Sequence, residues 1–183
     1  MIKNIFLFQL FLLIGTLSTY SQKKSSLEIG GKIISEWVEW KSYGPGAGLQ
    51  AIFKVTDHSG IETGLYYIIK PRFYFQPTTL YKKVNEKTIL IPFLYKFDSR
   101  LINFTAGFAL DYLIDKNQPD RDLSISITKY NTGRIEFLPT LSISKNFYLN
   151  ESLIFEPEIR GTSFIPRGGG GFAFNLSLRK KVF

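Results

Sequence analysis

Apolar and charged residues alternate along most of this chain, and this period of two constrains the fold more than any other feature of the sequence. In the run 27–37, Ile29 and Ile33 occupy odd positions, whereas Glu28 and Lys32 occupy even positions. Successive side chains of a β-strand lie on opposite faces of the sheet. The pattern therefore predicts a strand with one apolar face and one charged face.

Eight runs of this kind follow one another along the sequence. Tight turns alternate with longer polar connections between them, which predicts antiparallel pairing. An even number of strands of about ten residues, with short turns at one end and longer loops at the other, is typical of a small outer-membrane barrel. We therefore predict an all-β fold, an eight-stranded antiparallel transmembrane up-and-down β-barrel. The predicted strands are 27–37, 47–55, 61–69, 88–97, 101–114, 134–145, 153–159 and 172–178.

The predicted orientation places the short turns in the periplasm and the longer connections outside the cell. Aromatic residues fall near both ends of the strands, as the aromatic girdles of membrane barrels require. The longer connections are 41–46, 71–80, 115–133 and 164–170. The aromatic residues are Trp37, Trp40, Tyr43, Phe73, Tyr74, Phe75, Tyr112 and Phe164 at the outer end, and Phe97, Phe147 and Tyr148 at the inner end.

Charged residues occupy the strand face opposite the apolar one. The lumen of an eight-stranded barrel is just wide enough for side chains to fill it. We therefore expect these charges to pair across the lumen as a plug rather than to line a water-filled pore. The alternative is a solvated sheet face, which needs a second sheet or helices over its apolar side, and the sequence has no amphipathic helix pattern. The predicted lumen network is Glu28, Lys32, Glu36, Lys54, Glu62, Lys70, Lys96, Asp111, Arg134, Glu136, Glu156, Glu158 and Arg160.

The amino-terminal segment has the pattern of a secretory signal peptide. One positive charge precedes an almost unbroken apolar run at 5–17, and Thr19 and Ser21 place small residues before a predicted cleavage site. A membrane-anchoring helix is the alternative, but the apolar run is shorter than the roughly 20 residues that such a helix needs. We therefore predict a signal peptide at 1–21 and an outer-membrane barrel domain at 22–183.

Three prolines lie inside the predicted strands. Pro92, Pro139 and Pro157 each remove one donor from the hydrogen-bond ladder, a cost normally confined to edges or bulges. Because a closed barrel has no edge, we expect a local bulge at each of them. The carboxyl terminus is a second irregularity, since strict alternation puts Val182 rather than Phe183 in phase. Either a bulge lies within the three preceding residues or the terminal aromatic is used differently.

Little in the sequence points to catalysis or to a bound cofactor. The chain has no Cys and one His, which excludes a thiol enzyme, a cysteine zinc site and a disulfide framework. A Ser-His-acid hydrolase needs a base beside its nucleophile, whereas His58 lies in a predicted periplasmic turn. No calcium-loop spacing is present, and the glycines at 168–171 lack the Lys and helix of a phosphate-binding loop. We expect no enzyme activity, no metal and no cofactor.

Basic residues exceed acidic ones, and the formal net charge is +8. Several of them lie near the predicted outer rim, where the phosphates of lipopolysaccharide would be, and Arg contacts suit phosphate well. A merely solubilising rim is the alternative. Nucleic acid is a poor partner for an exported barrel. The predicted lipopolysaccharide-contacting residues are Arg72, Lys82, Lys83, Arg121, Lys129 and Arg167.

Two adjacent predicted strands carry motif-like sequences. Residues 88–97 read TILIPFLYKF, and residues 104–108 read FTAGF. They resemble the fourth-strand signature and the glycine-bearing fifth strand of the PorT-like outer-membrane β-barrel family of Bacteroidota, although Leu90 stands where that family usually has a Glu. The resemblance implies an accessory role in secretion or envelope biogenesis.

These observations predict a non-enzymatic integral outer-membrane protein of a Gram-negative bacterium with a structural, adhesion, envelope-assembly or secretion-accessory role. The expected partners are outer-membrane lipid and lipopolysaccharide, the outer-membrane assembly machinery and an unidentified envelope protein. Two alternatives stay open. A soluble periplasmic β-barrel that binds an apolar ligand would have an apolar lumen and a polar exterior, which is the inverse phase. A barrel enzyme that acts on lipid would need a catalytic cluster on its outer rim.

Overall fold

The computed structural model describes residues 26–38, 42–76, 79–117, 135–163 and 170–182, and nearly all of them belong to one antiparallel β-sheet. None of these residues forms a helix that is long and apolar enough to cross a membrane. The strands are β1 (Ser26–Val38), β2 (Ser42–Thr56), β3 (Ser59–Gln76), β4 (Thr79–Phe97), β5 (Asn103–Asn117), β6 (Ile135–Ser144), β7 (Phe147–Tyr148), β8 (Leu153–Ser163) and β9 (Gly170–Lys181).

The sheet closes on itself to form a barrel. β1 pairs with β2 on one side and with β9 on the other, and β6 pairs with β8. The short strand β7 continues β6, because its pairs with Phe155 and Ile154 keep the register of the β6–β8 ladder. The ring therefore contains eight strands in up-and-down order, and the predicted fold is confirmed.

The register fixes the shape of this barrel. A path that follows paired residues once around the ring returns to β1 ten residues further along the strand. In an eight-stranded barrel this stagger corresponds to a strand tilt of about 40° and to a lumen that side chains can fill. The path runs through Glu28, Ile52, Glu62, Leu94, Gly107, Thr140, Thr162, Gly171 and Val38.

The height of the barrel suits a membrane. Trp37 and Phe172 stack near the loop end with ring centroids 5.2 Å apart. Phe147 and Phe155 contact each other near the turn end at 6.3 Å. Ten residues of a strand tilted by about 40° rise about 25 Å along the axis, which matches the apolar band of about 25 Å in outer-membrane barrels.

Apolar side chains lie outside this barrel and charged side chains lie inside. Leu49 and Leu141 are each 67% exposed, whereas Lys32 is 1% exposed and Glu62 is fully buried. A soluble protein hides its large apolar side chains and exposes its charges. A soluble ligand-binding barrel requires the opposite arrangement, with apolar side chains in the lumen and polar side chains outside.

The bulges expected at the prolines are absent from the described strands. The register continues without a shift through the pairs of Pro92 with Ala109, Pro139 with Phe108, and Pro157 with Leu176. Each proline strand also pairs with a second neighbouring strand, and that second ladder has a gap or an end at the proline. The backbone N–H that proline lacks could donate to only one of the two neighbours, so only one ladder is interrupted. The register shifts that occur lie between Lys54 and Thr56, Tyr74 and Gln76, and Lys87 and Thr88.

The structure also bears on the alternative of a bulge at the carboxyl terminus and on the connection predicted at 71–80. The pairing of β1 with β9 continues in register to Lys181, so no bulge lies within 179–181, and Phe183 is outside the described residues. The connection expected at 71–80 is largely strand, because β3 and β4 continue to pair as far as Gln76 and Thr79. Aromatic residues favour strands, and this segment is rich in them.

Glycines make room for the largest aromatic side chain of the lumen. Tyr66 is fully buried, and its ring lies against Gly48 of β2 and Gly64 of its own strand. A Cβ built on Gly48 would come within 2.7 Å of the Tyr66 ring and 2.1 Å of the Leu65 carbonyl oxygen. A side chain at position 48 therefore has no space without displacement of the backbone.

The substitution Gly48→Ala tests this packing. We expect it to lower the free energy of unfolding by about 1–3 kcal/mol, the usual cost of overpacking a filled interior. The matched control is Gly31→Ala, because a Cβ there would meet only the Gly48 carbonyl oxygen at 4.0 Å. Urea unfolding of the refolded barrel measures both, and equal midpoints for the two variants would contradict the assignment.

Candidate functional site

The lower lumen, nearest the short turns, contains a network centred on Arg179 and Glu156. Arg179 Nε lies 3.1 Å from Glu28 Oε2, and the guanidinium also forms an ion pair with Glu156. Lys96 forms an ion pair with Glu156 as well, and the Ser144 hydroxyl donates a hydrogen bond to the same carboxylate. Strands from opposite sides of the barrel are thus joined through a single buried carboxylate.

The central lumen contains a quartet with two cations and two carboxylates. Lys32 Nζ lies 2.9 Å from Glu62 Oε1 and 2.7 Å from Glu158 Oε2. Arg160 Nη2 lies 2.8 Å from Glu62 Oε1, and its Nε lies 2.5 Å from Glu158 Oε1. Asn175 Nδ2 donates a third hydrogen bond to Glu158 at 3.0 Å. The formal charges of the quartet cancel.

An apolar layer separates this quartet from the loop end of the lumen. Its members are buried side chains that alternate with the charged positions on the inner faces of their strands. They form one buried cluster across the barrel. The layer consists of Ile34, Tyr66, Ile68, Leu90, Ala109, Leu138 and Ala173.

A third charged group lies above the apolar layer. Lys70 Nζ is 2.9 Å from Asp111 Oδ2 and 3.6 Å from Glu36 Oε2. A cavity of about 10 Å³ lies between this group and the central quartet, and five members of the apolar layer line it together with polar residues that include Glu36, Arg160 and Asn175. Such a volume holds about one water molecule. Between these charged groups the described side chains thus leave a cavity for about one water molecule rather than an open channel.

Pairing explains how charges can be buried at such density. Removal of an ion from water costs several kcal/mol unless an opposite charge and further hydrogen bonds replace the solvent. In the lumen each cation named above has at least one carboxylate within 4.0 Å. The networks also connect strands that are not neighbours in the sheet, so they brace the barrel across its interior.

Most of the residues predicted for the lumen occur in these groups. Glu136 is half-buried, and Arg134 lies outside the described residues. Lys54 forms an ion pair with Asp98 near the turn end. The others are buried on inner strand faces and are Glu28, Lys32, Glu36, Lys54, Glu62, Lys70, Lys96, Asp111, Glu156, Glu158 and Arg160.

Sequence reasoning missed three buried charges. Arg179 alternates with Leu178 and so carried the right signal, but the predicted strand ended at residue 178. Asp98 resembles an ordinary turn residue in the sequence, yet it is 7% exposed. Glu86 is also buried, and it lies between the predicted connection at 71–80 and the predicted strand at 88–97.

The predicted outer-rim cations divide into two sets. Arg72, Lys82 and Lys83 have described backbones, and the register places them close together in the β3–β4 ladder, past the last described pairs of β2 with β3 and of β4 with β5. The remaining three lie outside the described residues and are Arg121, Lys129 and Arg167. At the same end, Trp37 contacts Tyr43 edge to face at 5.7 Å.

His58 lies in the turn between β2 and β3 and is exposed. Its carbonyl oxygen accepts a hydrogen bond from the Asp98 N–H at 2.7 Å, which ties two neighbouring turns together. Among the described residues, no group of three or more His, Cys, Asp or Glu side chains is placed to hold a metal ion.

Comparison with solved structures shows the same fold in an outer-membrane protein. The barrel is similar to the outer membrane protein OprG from Pseudomonas aeruginosa, with 9% identity, a TM-score of 0.55 and coverage of 89% of this chain and 98% of that chain. Neisserial surface protein A aligns with 9% identity and a TM-score of 0.49, over 86% of this chain and 97% of that one. The N-terminal β-barrel domain of P. aeruginosa OprF aligns with 11% identity and a TM-score of 0.45, over 85% and 99%.

No family model matches the sequence, and no curated protein matches it either. The resemblance to the PorT-like family therefore stays a prediction. The similarity to OprG, at its low identity, concerns the fold: a closed antiparallel barrel of the outer-membrane type.

The substitution Glu62→Gln tests the central quartet. It leaves Lys32 and Arg160 with one shared carboxylate, so we expect a loss of about 3–5 kcal/mol in the free energy of unfolding, as for other broken buried pairs. The control Glu151→Gln changes the same atoms in an exposed turn, where about 0.5 kcal/mol or less is expected. Urea titration of both variants in phospholipid vesicles measures the difference. Equal effects would show that the quartet does not stabilise the barrel.

Proposed function

We propose that this chain is an integral protein of the Gram-negative outer membrane, exported by a signal peptide that is cleaved after residue 21. The observation that carries the proposal is the inverted distribution of side chains, with leucines and phenylalanines exposed around the barrel and charged residues buried within it. In water, that exterior would be a large apolar surface of the kind that drives association. In a bilayer it is the surface that contacts lipid.

The packed lumen supports a role that does not use a pore. Ion pairs fill the lower and central lumen, and the cavity above them holds about one water molecule. We propose that the barrel is a rigid, non-enzymatic membrane support that presents its outer end to other molecules. The role is structural, adhesive or accessory to envelope assembly and secretion, and the resemblance to the PorT-like family favours the last of these.

The partners that follow from this placement are outer-membrane lipid and lipopolysaccharide, the outer-membrane assembly machinery and an envelope protein. Membrane fractionation combined with gel migration before and after boiling tests the placement. We expect the protein in the outer-membrane fraction and a shift in migration on boiling, because a closed barrel resists detergent until it is heated. Recovery from the soluble periplasm would contradict the proposal.

A pair of identical substitutions distinguishes lipid from water around the barrel. Leu141 and Leu101 are similarly exposed, at 67% and 79%, but Leu141 lies in the middle of the outer face and Leu101 lies in a turn. In a bilayer, Leu141→Arg should cost about 2–4 kcal/mol of unfolding free energy and Leu101→Arg about 0–1 kcal/mol, because the penalty depends on depth. Urea unfolding in phospholipid vesicles measures both. A soluble barrel would show small and equal effects.

A further inference from the structure

A lysine interrupts the apolar outer face of β9 near the short turns. The outward row of that strand continues from Leu178 through Lys180 to Val182, and all three side chains are exposed. The register places Lys180 between Leu153 of β8 and Ile29 of β1. The cation therefore has an apolar neighbour on each side of it within the outer face.

A second lysine interrupts the outer face where β6 continues into β7. Lys145 lies between Ile143 and Phe147 in the outward row, and both of these apolar side chains are exposed. The Lys145 N–H donates a hydrogen bond to the Pro157 carbonyl oxygen at 3.2 Å, so the backbone stays in the ladder with β8. Lys145 Nζ donates a hydrogen bond to the Arg100 carbonyl oxygen in the turn between β4 and β5. This bond holds the ammonium at the turn end of the apolar face.

Carboxylates at this end of the barrel lie in the lumen or in the turns. Asp98 is buried and forms an ion pair with Lys54, and the buried Glu28 has its Oε2 3.1 Å from Arg179 Nε. Among the described residues, the outward rows that contain the two lysines include no carboxylate. The acidic residues that are exposed in the turns are Asp57 and Glu151.

The surroundings of the two lysines suit the boundary between acyl chains and headgroups. A lysine stem can lie along apolar surface while its ammonium stays at the polar boundary. Phe147 lies next to Lys145 in the outward row and contacts Phe155 with ring centroids 6.3 Å apart, and aromatic residues are enriched at this boundary. An ammonium has three donors. Lys145 uses one of them on the Arg100 carbonyl oxygen, which leaves two for a ligand.

We propose that Lys145 and Lys180 each bind the headgroup phosphate of an anionic glycerophospholipid in the leaflet at the turn end. The predicted orientation makes this the periplasmic leaflet. Phosphate is the anionic group at a lipid surface, and it accepts charge-assisted hydrogen bonds from an ammonium. The acyl chains of the same lipid contact the apolar residues of the outward rows, such as Ile143 and Leu178. The inference rests on the proposed membrane placement, since only a bilayer brings phospholipid to this face.

Native mass spectrometry of the full chain, folded in non-ionic detergent, tests the proposal. Phosphatidylglycerol and phosphatidylcholine with the same acyl chains are added in equal amounts, so that the two lipids differ in net headgroup charge. We expect the wild-type chain to bind two molecules of phosphatidylglycerol with a roughly fivefold preference over phosphatidylcholine, the usual contribution of one cation near an anionic lipid surface. Equal binding of the two lipids by the wild-type chain would contradict the proposal.

Single substitutions assign the two positions. Lys145→Gln and Lys180→Gln should each leave one preferred molecule of phosphatidylglycerol, and the double variant should bind both lipids equally. The matched control is Lys181→Gln, because Lys181 is also exposed but belongs to the inward row, opposite Glu28. It removes the same charge from the same end of the barrel and should keep both lipids. Equal losses in Lys180→Gln and Lys181→Gln, or no loss in the double variant, would overturn the proposal.

A further arm distinguishes the lipid from a free phosphate compound. Glycerol phosphate, which has the charge of the headgroup without acyl chains, should not displace phosphatidylglycerol at equal phosphate concentration. Lipid binding requires the apolar rows beside each lysine, and a soluble phosphate does not contact them. Displacement by glycerol phosphate would show that the lysines bind phosphate from solution, and it would overturn the assignment to lipid.

Folding of each variant is checked by the migration shift on boiling. If the double variant does not fold, the two single variants decide the outcome, because each is compared with Lys181→Gln. A wild-type chain that shows no shift and stays soluble contradicts the proposed membrane placement. A chain that folds and inserts but has no preference for phosphatidylglycerol contradicts only the lipid site.

Discussion

Closure of the sheet between β1 and β9 is the constraint on which the rest of the structure depends. A bilayer offers no water to unpaired backbone groups, so a sheet can cross it only when every strand has a partner on both sides. The register stagger of ten residues around the ring sets the strand tilt. The tilt in turn sets the width of the lumen and the height of the apolar band.

Closure converts a simple alternation into two separate environments. The outer positions carry exposed apolar side chains, and the inner positions fill a narrow space with charged groups and one apolar layer. The central quartet meets this demand with two cations and two carboxylates that hydrogen-bond across the barrel. The side chains of the described residues therefore fill the lower and central interior.

The fold could be predicted because the side chains of a strand alternate between two faces. Residues such as Glu62 and Leu65 therefore indicate which face is polar and which is apolar without knowledge of any distant contact. It did not predict which charges meet, because pairs such as Lys32 and Glu158 are far apart in the chain and depend on the register. The turn residue Asp98 and the proline gaps were missed for the same reason. A proline requires a bulge only if a carbonyl group of the neighbouring strand would otherwise accept a hydrogen bond from the N–H that the proline lacks.

The environment of the outer face distinguishes a membrane barrel from a soluble one, and the absence of Cys makes single-cysteine labelling straightforward. Nitroxide labels at positions 49, 65 and 141 of the barrel in phospholipid vesicles should collide often with oxygen, which dissolves in lipid, and seldom with a water-soluble nickel chelate. A label at position 101, in an exposed turn, should show the opposite preference. High accessibility to the nickel chelate at all four positions would contradict a lipid-facing exterior.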